Sequence, residues 1–499
     1  MQLPIVLDPG NPAPLQLQLL ASIRELILTN CLRPGSRLPA SRELSAQLGI
    51  SRNTILHAYD RLIAEGYLQT HPKAGTFVTR SLPEDSLLLR AVSPPTPERA
   101  LEHSLRRPVP RRYRAPLLYE RPRHRLAFDF RIGRPDAHSF PLKTWRRLVD
   151  ENLASAGSKM TQYSNPAGTY ELRRAIADHL GPARGITASP DQVIIVGGCE
   201  EGLNIIGKVL VRDGTEVCVE TPCYQGVAFV FESYGGNMIP VPVDGEGIDV
   251  GALPRRPVSL VCVTPSHQFP LGVTMSLNRR LRLLDWARGA GAYVLEDDYD
   301  SDFRYDGSPM TALQGLDRDG CVIYVGTFSK SIGAALRIGY LVVPPDLVGP
   351  AREAKALLDN GNPWLDQVVL AEFLGSGSFS SHLRRIRHTY QARRDCLIAS
   401  LRKHFGDTTI LGQEGGMHLT WMLPEGSIKA RNLQNLALDL DVGIYTVDEG
   451  PAFDYDRFAA RDRAIFLGYP SLSEKQIREG IRRLASILRP GARGSPSGT

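Results

Sequence analysis

The hydrophobic pattern of the N-terminal part of the chain predicts three short helices. Apolar residues recur at helical spacing over residues 15–29, and the segments 41–48 and 52–65 follow with the same spacing. A Pro-Gly pair turns the chain after the first segment, and Ser51 is a suitable N-cap for the third. This part of the chain is therefore predicted to be a compact helical bundle.

Two extended segments follow these helices. Residues 67–70 and 76–79 flank a polar stretch, 71–75, whose length and composition are typical of a hairpin tip. Three helices followed by a hairpin predict a winged helix-turn-helix, which we place at residues 12–80.

Beyond Phe128 short apolar runs alternate with helical segments. The runs are residues 193–196, 216–220, 260–263, 292–295 and 321–325. This alternation predicts an α/β fold, with an open and mostly parallel sheet covered by helices, at residues 126–490.

Residues 81–125 join the two patterned regions and contain eight prolines and ten arginines, a composition typical of a semi-extended linker. Residues 1–125 carry 18 Lys or Arg against 10 Asp or Glu, whereas the rest of the chain carries 41 against 43. A basic end on a near-neutral body suits a nucleic-acid-binding module, although a solubilising surface is the alternative.

Composition sets the broad class of protein. A chain of 499 residues with 42% apolar and 22% charged residues is expected to form two to four globular domains. Its seven cysteines are scattered and predict reduced thiols. We expect no membrane span and a cytoplasmic location, since no basic segment followed by a long apolar run opens the chain.

The candidate chemistry centres on Lys330, which follows the run 321–325. Thr327 and Ser329 precede it closely, and Arg337 comes seven positions later. Such a lysine can hold an aldehyde cofactor as a Schiff base while the hydroxyls and the guanidinium bind its phosphate. A solvated loop lysine is the alternative interpretation for a lysine on its own.

Other polar residues also follow the apolar runs, and ligands bind at the carboxyl ends of the strands of such sheets. Asp297 suits a protonated pyridine nitrogen, Tyr299 a ring hydroxyl, and Tyr224 a stacking position on the ring. Together they indicate pyridoxal phosphate and no metal. The predicted cofactor site comprises Gly198, Cys199, Tyr224, His267, Asp297, Tyr299, Thr327, Ser329, Lys330 and Arg337.

The ordered set of motifs resembles the MocR/GabR-type regulators, which join a GntR-type winged helix-turn-helix to a fold-type I aminotransferase-like domain with a smaller C-terminal subdomain. Residues 38–44 and 51–54 resemble the DNA-reading half; residues 264–270, 296–300, 327–330 and 415–419 resemble the cofactor half. The resemblance implies a double-stranded DNA operator as partner. The DNA contacts that it implies are Arg42, Ser51, Arg52, Asn53, Thr54, Lys73 and Gly75.

The resemblance also implies a head-to-tail homodimer in which Tyr163 reaches the cofactor phosphate of the neighbouring subunit. Glu200 and Glu201 depart from the pattern, because relatives commonly carry amides there, and their charge is expected to weaken phosphate binding. Arg463 is the candidate for gripping an effector carboxylate, in a region of ambiguous register.

The expected function is a transcriptional regulator that senses an amino compound, or pyridoxal phosphate itself, through Lys330. One alternative is an active aminotransferase that carries a DNA-binding module, since the groups for amine chemistry are present. Another is a domain that has lost the cofactor and only dimerises the DNA-binding heads.

Overall fold

The computed structural model describes residues 3–8, 10–72, 74–82, 113–114, 126–307, 310–455 and 457–488. Contacts divide the chain into two compact units, Met1–Arg111 and Arg112–Thr499. Lys73 and nearly all of the predicted linker lie outside the described residues. The predicted domain boundaries stay a prediction.

The N-terminal unit contains the three predicted helices and the hairpin. Leu19, Ile23, Leu44, Ile55 and Leu62 are fully buried in its core, so the apolar stripe of each helix faces inward. The elements are α1 (Leu15–Leu28), α2 (Ser41–Leu48), α3 (Arg52–Ala64), β1 (Leu68–His71) and β2 (Gly75–Val78). The winged helix-turn-helix prediction is confirmed.

Local chemistry explains the turn between α2 and α3. Gly49 ends α2 in the left-handed conformation, with φ of 66°, and its N–H donates to Ser45 O. The Ser51 hydroxyl then accepts from the backbone N–H of Thr54 at 3.2 Å and caps α3.

The larger unit is built on an eight-stranded sheet. Its strands are β4 (Val193–Val196), β5 (Glu216–Thr221), β7 (Asn237–Asp244), β8 (Gly247–Ile248), β9 (Leu260–Val263), β10 (Tyr293–Asp298), β11 (Val322–Thr327) and β12 (Gly339–Val342). Their order across the sheet is β4-β12-β11-β10-β9-β5-β7-β8. Strands β7, β5, β9, β10 and β11 run parallel, whereas β12 is antiparallel to both neighbours and β8 to β7. The predicted mostly parallel sheet is confirmed.

Helices cover the sheet because its central strands are apolar on both faces. The helices from this region are α4 (Leu142–Ala154), α5 (Tyr170–Arg184), α6 (Cys199–Leu210), α7 (Gln225–Ser233), α8 (Leu277–Ala290), α9 (Leu313–Leu316), α10 (Val348–Leu358) and α11 (Trp364–Gly375). The N-termini of α6 and α7 lie just past the carboxyl ends of β4 and β5, where the candidate site is expected.

A smaller C-terminal part combines a three-stranded antiparallel sheet with three helices. The sheet has the order β13 (Thr409–Leu411), β14 (His418–Met422), β17 (Ala464–Gly468). The helices of this part are α12 (Ser378–Phe405), α13 (Ala430–Leu438) and α14 (Glu474–Leu488), of which α12 and α14 contact each other. The predicted smaller α/β subdomain is confirmed.

Four two-residue strands form two further pairs in the larger unit: β3 (Phe128–Asp129) pairs with β15 (Val442–Gly443), and β6 (Cys223–Tyr224) pairs with β16 (Ala452–Phe453). The described part of the chain contains no helix that is long and apolar enough to span a bilayer.

Candidate functional site

A cavity of about 460 Å³ lies at the carboxyl ends of the parallel strands. Parallel strands all end at the same edge, so residues distant in sequence meet there. The lining residues that the sequence predicted are Cys199, Tyr224, Asp297, Tyr299, Thr327, Ser329, Lys330 and Arg337. Its size is that of a pocket for a small cofactor or ligand.

Lys330 lies three residues beyond the end of β11, in a single helical turn. Its Nζ donates a hydrogen bond to the carbonyl of Gly133 at 3.1 Å. Burial lowers the pKa of the Lys330 amine, while the carboxylates of Asp300 and Asp297 oppose that shift. A lysine with a lowered pKa is more often neutral, and a neutral amine is the nucleophile that attacks an aldehyde.

Asp297 is the penultimate residue of β10 and is buried beside the cavity. The Cys199 thiol donates to its Oδ2 at 3.5 Å. Burial raises the pKa of the Asp297 carboxyl to about 7. A cationic N–H group brought against this carboxylate would be strongly stabilised, since both groups would be out of water.

An anion pocket lies where β4 leads into α6. Gly198 precedes α6 with φ of 112°, and a Cβ there would lie 2.6 Å from Nη2 of Arg337. Only glycine therefore leaves room for that guanidinium at the start of the helix, where free backbone N–H groups attract anions. Arg337 itself has a left-handed backbone, with φ of 52°, a conformation that costs about 1–3 kcal/mol in non-glycine residues.

Two hydroxyls complete the anion pocket. The Thr327 hydroxyl donates to Ser329 Oγ at 3.0 Å and accepts from the Ser329 backbone N–H at 3.1 Å. The site therefore offers three kinds of group: hydrogen-bond donors for an anion around Gly198, a buried carboxylate for a ring N–H at Asp297, and an amine at Lys330. This combination fits pyridoxal phosphate.

His267 does not line the cavity but lies behind Tyr299. Its Nδ1 is 3.0 Å from the Tyr299 hydroxyl and 3.0 Å from Oδ2 of Asp300, and the Tyr299 hydroxyl donates to the His267 carbonyl at 2.9 Å. His267 thus positions Tyr299. His418 packs against His267, with ring centroids 4.7 Å apart, and lines the cavity where His267 does not.

His267, Asp300 and His418 offer ligand-type atoms that all lie within 4.8 Å of one another, a set that could hold a metal ion. The expectation of no metal therefore stays a prediction.

The two glutamates after Cys199 have different environments. Glu200 lines the cavity, and its Oε1 accepts from the Tyr224 hydroxyl at 2.5 Å. Glu201 is turned away: Oε2 accepts from the Gly197 N–H at 2.6 Å, and Oε1 pairs with Lys355, whose side chain is 0% exposed. Glu201 is thus ion-paired with Lys355, which it shares with Asp359, whereas Glu200 faces the cavity beside the anion pocket.

We expect Glu200→Gln to tighten phosphate binding and Glu201→Gln to weaken it. The first change removes a like charge from a partly dry site and should lower the Kd for pyridoxal phosphate roughly tenfold. The second leaves Lys355 with one carboxylate fewer and should destabilise the loop at Gly197 by about 1–3 kcal/mol. Titration of both variants by absorbance and by thermal unfolding checks this; shifts of the same sign would contradict it.

The pH dependence of stability should reflect two buried carboxyls. Burial raises the pKa of Glu220 and of Asp297 to about 7, above the ordinary values of 4.5 and 3.8. The folded state then binds more protons than the unfolded state between these values, so stability decreases as pH rises. We expect the free energy of unfolding of cofactor-free protein to fall between pH of about 4 and about 7, and Asp297→Asn to flatten that fall. Denaturant unfolding across this pH range checks it.

Arg463 and Tyr163 are also not among the residues that line the cavity. Arg463 donates to Leu423 O at 2.8 Å and pairs with Glu425 at 2.7 Å, so its guanidinium is held on another face. These contacts give no support to Arg463 as the effector ligand. Tyr163 is 92% exposed, which leaves its side chain accessible to a second subunit.

The described DNA-contact candidates lie at the start of α2, at the start of α3 and at the start of β2. Arg52 and Asn53 are exposed in the first turn of α3, and Arg52 Nε donates to the Ser41 hydroxyl at the start of α2. Arg42, the next residue of α2, is also exposed. Gly75 begins β2 with φ of 111°, and a Cβ there would lie 3.1 Å from Nε of the exposed Arg37. Arg37 was not predicted, because an isolated arginine before a helix carries no motif.

Sequence reasoning also missed several cavity-lining residues. They are Ile132, Gly133, Glu200, Phe269, Ala334, Met417, His418 and Pro451. Most are apolar or glycine, and nothing in their local spacing distinguishes them from core positions. In the sequence, Glu200 stands out only by its charge, and His418 only as part of the motif at residues 415–419.

Two family models match the chain. The model "Bacterial regulatory proteins, gntR family" matches residues 15–78, and the model "Aminotransferase class I and II" matches residues 128–483. The first covers the helices and hairpin of the N-terminal unit, and the second covers the sheet, the cavity and the smaller subdomain.

Curated relatives match along nearly the whole chain. The probable rhizopine catabolism regulatory protein MocR of Rhizobium meliloti is 34% identical over 97% of this chain and 96% of its own length. The pyridoxine biosynthesis transcriptional regulator PdxR of Corynebacterium glutamicum is 32% identical over 91% of this chain and 94% of its own. Among solved structures, kynurenine aminotransferase of Pyrococcus horikoshii in complex with PMP superposes with a TM-score of 0.67, at 29% identity, over 74% of this chain and 93% of its own.

Proposed function

Because the chain belongs to the gntR-family transcriptional regulators that carry an aminotransferase class I and II domain, we propose that it binds DNA as a homodimer under the control of pyridoxal phosphate held at Lys330. The observation that carries the proposal is the convergence of Lys330, Asp297 and Arg337 on one cavity. The effector is pyridoxal phosphate itself or an amino compound that reacts at the same position.

Each cavity residue has a defined task. Pyridoxal phosphate supplies an electrophilic carbonyl carbon and an electron-withdrawing ring. Lys330 would provide the amine, Asp297 would keep the ring nitrogen protonated, and Arg337 would bind the phosphate together with the helix N-terminus. Tyr299 would turn its one hydroxyl hydrogen from the His267 carbonyl to the ring hydroxyl, and Tyr224 would cover one face of the ring.

The N-terminal unit supplies the DNA-binding surface. The start of α3 presents Arg52 and Asn53 to solvent, where a recognition helix enters the major groove. Positive charge from Arg37 and Arg42 near the same end supports contacts to phosphates. Two such units in a dimer would read two half-sites.

The dimer places Tyr163 of one subunit at the phosphate of the other. Its 92% exposure in the isolated chain is consistent with a contact that only a second copy provides. Tyr163→Phe should raise the Kd for pyridoxal phosphate about tenfold, as expected for one lost hydrogen bond to a charged group, and leave the dimer intact. Absorbance titration and analytical ultracentrifugation check this; an unchanged Kd would place Tyr163 elsewhere.

The direct test is reconstitution of the purified protein with pyridoxal phosphate, followed by borohydride reduction and peptide mapping. A visible absorption band, with the reduced label on the peptide that contains Lys330, is expected. A parallel measurement follows the affinity for a duplex selected from a random pool, with and without the cofactor. Rapid turnover of amino acids together with no sequence-specific DNA binding would instead indicate an aminotransferase.

A further inference from the structure

One short segment between the two family-matched regions is held on the surface of the larger unit. The guanidinium carbon of Arg114 lies 5.8 Å from the ring centroid of Phe229 and 5.9 Å from that of Phe453. Its Nη1 is 3.7 Å from Oε2 of Glu232. We call Phe229, Glu232 and Phe453 the arginine cage, since two aromatic faces and one carboxylate form the surroundings that suit a guanidinium.

The cage is internally braced, so its members move together. The rings of Phe229 and Phe453 meet edge to face with centroids 5.0 Å apart, and Tyr455 packs against Phe453 at 4.8 Å. The Tyr455 hydroxyl donates to Glu232 at 3.2 Å, and this bond fixes the carboxylate that faces Arg114.

The same elements form part of the cavity wall. Phe229 and Glu232 lie on α7, which begins directly after Tyr224, and Phe453 ends β16, which pairs with Tyr224 and Cys223. The N–H of Gln225 donates to the Pro451 carbonyl at 3.0 Å, and both Tyr224 and Pro451 line the cavity. The cage and the cofactor cavity thus share one continuous piece of structure.

We infer that the arginine cage is the docking surface for the chain's own connecting segment, and that through it the occupancy of the cofactor cavity is transmitted to the DNA-binding unit. Tyr224 would contact the ring of bound pyridoxal phosphate, and a shift of Tyr224 would move the start of α7 and with it the cage that holds Arg114. The energy for this coupling is the difference in cofactor affinity between the docked and the released states. The inference rests on the proposed function.

The test uses the full-length protein and an operator fragment recovered by the wild type from random duplexes. Arg114→Ala should reduce the change in operator affinity that pyridoxal phosphate produces to about twofold or less, against the roughly 5–150-fold range of typical couplings. The visible cofactor band and the operator affinity without cofactor should stay within about twofold of wild type. Phe229→Leu, which alters the other side of the contact without changing charge, should have the same effect.

Arg112→Ala is the matched control, since it removes the same charge two residues away. It should keep the wild-type response to the cofactor. A full response in Arg114→Ala, or an equal loss in Arg112→Ala, would overturn the inference while leaving the proposed function in place. If the operator affinity of the wild-type protein were the same with and without pyridoxal phosphate, the proposed function would be overturned, and this inference with it.

Discussion

Replacing Lys330 with alanine should abolish the visible absorption band and the borohydride-stable label while leaving the fold intact. Lys330 carries the one primary amine that lines the described cavity and could form an imine with an aldehyde, and burial lowers its pKa. The side chain donates one hydrogen bond, to Gly133, so its removal should cost about 0.5–1.5 kcal/mol of stability. Absorbance, mass spectrometry of the reduced protein and thermal unfolding measure these three quantities.

A suitable control for Lys330→Ala is Lys475→Ala, which removes an exposed lysine from α14. It should keep the band and the label at wild-type intensity. A Lys330→Ala protein that still gave a borohydride-stable label would show that another amine is the site of attachment. Non-covalent binding at the anion pocket should persist in the variant, because Arg337, Ser329 and the helix N-terminus are unchanged.

The second large effect is expected from Arg52→Ala in the N-terminal unit. Arg52 is exposed at the start of α3, and its single hydrogen bond in the structure, to Ser41, is a surface contact. Its loss should therefore cost little stability but lower the specific affinity for the operator by about 1–3 kcal/mol, or roughly fivefold to more than a hundredfold. Fluorescence anisotropy with the operator and with a scrambled duplex of equal length separates specific from general binding.

Arg61→Ala is the matched control for Arg52→Ala, because it removes an arginine from the far end of the same helix, where it pairs with Glu65. It should change operator affinity much less. If both variants lost affinity equally for both duplexes, the effect would be general electrostatics, and α3 would not be the recognition helix.

The strands were predictable to the extent that burial coincides with apolar sequence. Val193–Val196 and Leu260–Val263 agree with the predicted runs residue by residue, because both faces of these strands are covered. β10 instead continues through Asp298, beyond its apolar run, since Glu296 and Asp297 still pair with β11. Hydropathy cannot detect a polar residue that remains in the ladder.

For the candidate site, the sequence predicted which residues are present better than it predicted what each residue does. The approach of His267 to Tyr299 and Asp300 depends on how two loops pack, and no spacing in the chain encodes that. Likewise, the expected repulsion between Glu201 and a bound phosphate is reduced by the ion pair of Glu201 with Lys355, which lies 154 positions away in sequence. Such pairings are a property of tertiary structure, so the charge of a motif alone cannot decide its effect on a ligand.

The hydrogen bond from Lys330 to the Gly133 carbonyl competes with the attachment of Lys330 to a cofactor. An ammonium group has three hydrogens to donate, but a nitrogen bound covalently to the cofactor keeps at most one. That one hydrogen would be shared between the Gly133 carbonyl and acceptors on the cofactor, so the bond to Gly133 would be weakened or lost, and the net affinity would be smaller than the new contacts alone would provide, by up to about 0.5–1.5 kcal/mol. The chain segment around Gly133 loses a tether in the loaded protein, and its amide hydrogens should then exchange faster with solvent.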